Sequence, residues 1–164
     1  MARELLESEG SVGLSMRRLA DRLGIRAPSL YSHFADKQAL ENALIADGLR
    51  EFGELSLTAI QDDDPVAAYL VAYRTWANAH PHLYRLSYVE PLDSRVDPAA
   101  AERAGEAIRI LTRGDQRAGR SLWAYAHGLS MLELDSRFGP GATVDDVWQF
   151  GIDALRAALR PQGG

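Results

Sequence analysis

Apolar residues recur at steps of three and four along almost the whole chain, and the pattern breaks at glycine and proline. Such spacing places one apolar stripe on each of a series of helices, and no segment shows the sustained alternation and β-branched enrichment of a strand. The chain is therefore expected to be all-α. At 164 residues and 46% hydrophobic composition it is long and apolar enough to bury a real core. No run approaches the roughly 18 apolar residues that a membrane span requires. The opening "MARELLESEG" lacks the basic start and apolar stretch of a signal peptide. A cytoplasmic protein with no membrane partner is expected. The absence of cysteine excludes disulfides, thiolate nucleophiles and Cys-ligated zinc.

The punctuation divides the chain into predicted helices. A short one ends at Gly10. The next is N-capped by Ser15, turns Met16, Leu19, Ala20 and Leu23 inward, and stops at Gly24. "APSLYSHF" makes about two turns, and Asp36 caps a long helix with Ala39, Leu40, Ala43, Leu44, Phe52 and Leu55 on its apolar face, fading near "QDDDP". Further helices begin at Pro65 and Pro81, and another covers "AAAERAGEAIRILT". Two strong helices follow, over 117–138 with a stripe at Ala118, Leu122, Tyr125, Leu129 and Leu132, and over 143–159.

Within this frame the spacing Ala20, Gly24, Leu30 describes a helix-turn-helix: a small residue permits close helix approach, a glycine supplies the left-handed turn, and an apolar residue anchors the second helix. Pro28 fits the first turn, where amides lack intrahelical acceptors. Leu30 and Phe34 hold this helix from behind. Ser29, Tyr31, Ser32 and His33 remain for its outer faces, with donors suited to phosphate oxygens and base edges. Lys37, just past the Asp36 cap, adds charge at the positive end of a helix. Between Ser15 and Lys37 five basic residues face two acidic ones, so a chain of net charge −5 carries a local excess of +3 there. That asymmetry fits an anion-facing patch on an acidic body, and it also fits an ordinary solvated helix face.

The segment "GLSMRRLADRLGIRAPSLYSHFADKQALENAL" closely resembles the DNA-binding segment of the TetR family of transcriptional regulators, matching the pattern S-x-x-x-L-A-x-x-L-G-[VI]-x-x-x-[ST]-[LI]-Y-x-H-F-x-x-K-x-x-L from Ser15 to Leu40. The resemblance implies a three-helix head over 1–46 in which Arg17, Arg26, Ala27, Pro28 and Ser29 lie near bases. It puts Tyr31, His33, Lys37 and Ser15 on backbone phosphates. Arg18 and Arg22 inherit no role. Relatives begin with a fuller first helix, so DNA binding weaker than typical is an expectation of the same comparison.

Residues 47–164 exceed what the head needs in order to fold and must serve another purpose. Tyr69, Tyr73, Trp76, His80 and Tyr84 recur at three- and four-residue steps, and Trp123, His127, Phe138 and Trp148 form a second group. Such stripes commonly make plain core. Each group also carries a histidine and several donors, as a small-ligand pocket would. "SLWAYAHGLSMLEL", preceded by "HPHLYRLSYVEP", resembles the C-terminal domain of a TetR subgroup named for its Trp-His-Gly signature. That resemblance implies an effector-binding and dimerisation bundle whose last two helices build a four-helix interface. Within the aromatic groups Tyr73, Trp76, His80, Tyr84, Trp123 and His127 are the candidate ligand residues, and their chemistry suggests a small, apolar or aromatic effector. The expected partners are double-stranded operator DNA, that effector and a second copy of the chain.

An enzyme is not expected. No histidine follows a carboxylate at the spacing used by di-metal bundles, and the HEXXH, GXSXG and Walker patterns are missing. Neither a metal nor a cofactor is called for. The remaining alternative is a helical small-molecule sensor or adaptor that binds DNA weakly or not at all.

Overall fold

A computed structural model describes residues 1–88, 93, 95–141 and 143–160. Every regular element among them is a helix: α1 (Ala2–Gly13), α2 (Met16–Leu23), α3 (Ala27–Tyr31), α4 (Lys37–Ala59), α5 (Pro65–Ala79), α6 (Pro81–Tyr88), α7 (Pro98–Leu111), α8 (Gln116–Leu134) and α9 (Val144–Leu159). They form two compact units. The first comprises Met1–Glu51 and His80–Glu102; the second comprises Phe52–Ala79 and Arg103–Gly164. The single helix α4 contributes residues to both.

The first unit is organised around α1 and α6. Leu5 and Leu6 of α1 and Leu83 and Tyr84 of α6 are all buried. Pro81 opens α6, and the two amides after it donate to one side chain of α1: His82 N and Leu83 N reach the Glu7 carboxylate at 3.1 and 3.0 Å. A carboxylate here satisfies orphan donors and complements the positive end of the helix dipole. α1 breaks at Gly10, whose φ of 68° suits glycine and whose missing side chain leaves His82 Nδ1 only 3.4 Å from where a Cβ would sit. Glu7→Ala leaves both amides without their acceptor and should cost about 1–3 kcal/mol, read as a lower midpoint in urea unfolding.

The second unit packs α5, α8 and α9 around a charged knot. Arg74 of α5 binds Glu133 of α8 through Nε and Nη2 at 2.9 Å and Asp145 of α9 through Nη1 at 2.6 Å. The Trp148 indole donates to Glu133 at 2.9 Å, and the Arg74 guanidinium lies 5.5 Å from the centre of that ring. Burial alone would raise the Glu133 carboxyl, but bonds from Arg74 and Trp148 outweigh it and hold the group below its usual range. A carboxyl lowered by folding stabilises the protein above its unfolded pKa, and that contribution is lost as pH falls through the folded value. Glu133→Gln should therefore weaken the protein at pH 7 and make its melting temperature less sensitive to pH below about 4.5, where the unfolded carboxyl already begins to protonate.

Several expected inward positions face outward. Leu23, Leu55 and Leu132 are 40%, 39% and 40% exposed. Phe34 is half-buried and lies beyond the end of α3 rather than on it. α8 stops at Leu134 instead of continuing to 138, because Ser136 adopts φ 52° and the Arg137 amide closes back on the Leu132 carbonyl at 2.8 Å.

Candidate nucleic-acid interface

Local chemistry defines both ends of the helix-turn-helix. Ser15 is extended and its Oγ accepts from Arg18 N at 3.3 Å, which starts α2. Gly24, with φ 66°, ends it, and Ile25 N closes on the Ala20 carbonyl at 3.0 Å. Arg26 is the N-cap of α3 and Pro28 sits in its first turn. At the far side Asp36 caps α4 by accepting from Ala39 N at 2.6 Å. Two buried faces, Leu19 and Ala20 on α2 and Leu30 on α3, hold the helices together.

This packing leaves most of the candidate DNA-contacting side chains exposed. Arg17, Arg26, Pro28, Ser29 and His33 are exposed, Ala27 and Ser15 are half-buried, and Tyr31 is 51% exposed despite its large ring. The basic residues divide into two kinds. Arg18 pairs with Glu9 and donates to the Gly13 carbonyl at 3.3 Å, and Arg22 approaches Glu9 at 3.9 Å. Arg17 and Arg26 make no ion pair among the described residues. An exposed, unpaired guanidinium keeps its full hydrogen-bonding capacity for a phosphate or a guanine edge.

Lys37 behaves differently from these. Its ammonium donates to the Ser11 carbonyl at 2.6 Å and lies 3.2 Å from the Glu41 carboxylate, so it ties the end of α1 to the start of α4. Neither Ser11 nor Glu7 was singled out by sequence, since both act across gaps of many residues that local patterns do not report.

The candidate ligand residues fall into both units. In the second, Tyr73 and Trp76 are buried against Phe52, with ring centres 5.2 and 5.4 Å away. Trp123 and His127 stack at 5.5 Å on the more exposed side of α8, and burial lowers the His127 pKa so that the neutral imidazole prevails at pH 7. In the first unit, His80 lies 3.3 Å from Glu51, and Tyr84 is fully buried with its ring 4.9 Å from that of Tyr88.

Known proteins share this architecture. The family model described as bacterial regulatory proteins, tetR family, matches residues 1–44, and the one described as tetracyclin repressor-like, C-terminal domain, matches residues 66–155. The tetracycline repressor protein class C of Escherichia coli is 39% identical over an alignment covering 94% of this chain and 69% of that protein. Among solved structures, a protein of unknown function from Rhodococcus sp. RHA1 superposes with a TM-score of 0.80 at 29% identity, covering 96% of this chain and 90% of the other. A TetR variant from Acinetobacter baumannii AYE in complex with minocycline gives 0.70 at 26% identity over 99% and 94%. With the head matched by one model and more than half of the chain by the other, this protein belongs to the TetR family of DNA-binding transcriptional regulators.

Proposed function

We propose that the protein is a homodimeric repressor that binds a palindromic operator with Arg17 and the start of α3 (Arg26, Ala27, Pro28, Ser29) at base edges and Ser15, Tyr31, His33 and Lys37 along the phosphates. The observation that carries this reading is the half-exposed phenol of Tyr31 on a helix anchored by Leu30, beside two arginines without ion pairs. Paired recognition helices would enter successive major grooves about 34 Å apart. The head acts as the unit over 1–46 and the remainder, 47–164, as the effector and dimerisation domain. The spacing of Trp123, His127 and Gly128 supports a place in the Trp-His-Gly subgroup.

For dimerisation, α8 and α9 supply the surface. Leu132 of α8 is exposed, and Phe150, Ala154, Ala157 and Ala158 of α9 form an exposed stripe at helical spacing. A patch of this kind on a folded unit marks an interaction site. One similar structure holds minocycline; for this chain we infer a small, apolar or aromatic effector, with Tyr73, Trp76, Trp123 and His127 as its candidate contacts in the second unit. Such a ligand acts through its differential affinity for two states of the dimer, a coupling of about 1–3 kcal/mol.

Electrophoretic mobility shift with the DNA upstream of the gene tests operator binding. Tyr31→Ala should weaken binding to all sequences alike, whereas Arg17→Ala should cost about 1–3 kcal/mol and relax preference at one base. Lys37→Ala should flatten the salt dependence only slightly, because Ser11 and Glu41 already engage its ammonium. Unaltered binding in both Tyr31→Ala and Arg17→Ala would remove the proposed docking.

A further inference from the structure

A cleft of about 560 Å³, lined by none of the candidate effector residues, opens in the second unit where the end of α4, the start of α5 and the ends of α7 and α9 meet. Its size falls within the range of small-molecule sites, roughly 300–1,000 Å³. Ile60, Val66, Leu111 and Leu159 give it an apolar wall, and Ile110 stands at its edge with 47% exposure. Three arginines and two aspartates also line it, which leaves one net positive charge.

The charged groups are not equivalent. Asp64 is already engaged: it binds Arg156 and accepts from Ala67 N at 3.2 Å as the cap of α5. Arg156 also reaches Asp153 at 2.7 Å, yet its Nε–H is buried and has no acceptor among the described residues. A buried guanidinium N–H without an acceptor is costly and marks a place where an oxygen would be well received. Arg113 is exposed, and its side chain makes no hydrogen bond or ion pair among the described residues. Its backbone has φ 51°, a left-handed conformation unusual for a side-chain-bearing residue, immediately before Gly114 at φ 80°. Holding arginine where glycine would be less strained keeps a guanidinium at the mouth of the cleft. Asp63 and Arg160 complete the charged lining of the cleft.

We propose that this cleft is a binding site for a small amphipathic monocarboxylate, with the hydrocarbon against Ile60, Val66, Leu111 and Leu159 and the carboxylate between Arg113 and the Arg156 Nε–H. The site is separate from the residues assigned to the effector above, and it does not depend on them. Charge-assisted bonds from guanidinium to carboxylate supply orientation, and the apolar wall supplies most of the attraction.

Isothermal titration calorimetry of the whole chain with sodium octanoate, performed without DNA, tests the assignment. Octanoate should bind saturably at one per chain, and octanamide, its uncharged isostere, should bind roughly ten-fold more weakly, the equivalent of one charge-assisted hydrogen bond. Arg113→Gly should weaken octanoate by a similar factor, leave octanamide unchanged, and keep the melting temperature, since glycine suits φ 51°. Ile110→Glu, at an exposed rim position, should repel octanoate by like charge without unfolding the protein. The site is refuted if octanoate does not saturate, if octanamide binds as tightly, or if both variants bind octanoate like the parent. Because no DNA is present, such a failure would leave operator recognition standing, and the loss of operator recognition would leave this site standing.

Discussion

Phe150→Glu should turn the protein into a monomer in sedimentation experiments and lower its operator affinity by about 10²–10⁴-fold, the usual advantage of engaging two linked heads over one. Phe150 is 75% exposed on α9, the most exposed aromatic on a face that continues through Ala154, Ala157 and Ala158. Small residues around one large ring allow two helices to approach while the ring fills the space between them. On α8, Leu132 at 40% exposure adds to the apolar area. In a two-fold dimer this patch meets its own copy, so one substitution introduces a carboxylate twice, and burying either charge unpaired is costly. The fold itself should survive, because the side chain is withdrawn from water only by the partner. Val71→Glu serves as the comparison: Val71 is 55% exposed on α5, outside this face, and its substitution should leave both assembly and DNA affinity as they were. A dimer that persists in Phe150→Glu with unchanged affinity would move the interface elsewhere.

The parts of the fold that were legible in sequence are those fixed within a few residues. Ser15, Gly24, Pro28 and Asp36 announce the ends of α2, α3 and α4 because a cap or a left-handed turn is a local event, and the bonds at those residues are the ones their chemistry allows. The end of α8 was less legible: Ser136, not a glycine, takes the left-handed conformation, and no local rule marks a serine for it. Periodicity finds a stripe but not its width, so Leu23, Leu55 and Leu132 share the spacing of buried neighbours and still face outward. Aromatic spacing is equally silent on direction. Tyr73 and Trp76 turn into the interior, whereas Trp123, at similar spacing from its histidine, stays at the surface. Glu7 carries no signal at all, since its partners lie 75 and 76 positions further along the chain. The cleft beside Arg113 is of the same kind, because three segments distant in sequence, around residues 60–66, 110–113 and 156–160, create it.

Gly151→Ala should strongly destabilise the second unit. α8 and α9 meet where Tyr125 lies across Gly151, and a Cβ on that glycine would fall 1.7 Å from the tyrosine oxygen and 1.8 Å from Cζ. Relief by rotation is blocked. The Tyr125 hydroxyl donates to the Val147 carbonyl at 2.7 Å, and its ring packs edge-on against Trp148 at 6.3 Å and 87°. To accept the methyl, the tyrosine must leave this position and surrender its hydrogen bond, or the helices must separate. Overpacking of this severity plus one lost hydrogen bond should cost about 3–4 kcal/mol. For a chain of this size the melting temperature should fall by roughly 6–15 °C. In a Tyr125→Leu background the far end of the ring is gone, and the same Gly151→Ala change should cost much less, a non-additivity that identifies the clash as the cause. Gly105→Ala provides the opposite case: nothing lies within 4 Å of its Cβ position, so within α7 the methyl should stabilise by about 0.5–1 kcal/mol through helix propensity alone. If Gly151→Ala melted with the parent, the close packing of α8 against α9 at Tyr125 would be wrong, and with it the surface those two helices are said to present to a partner.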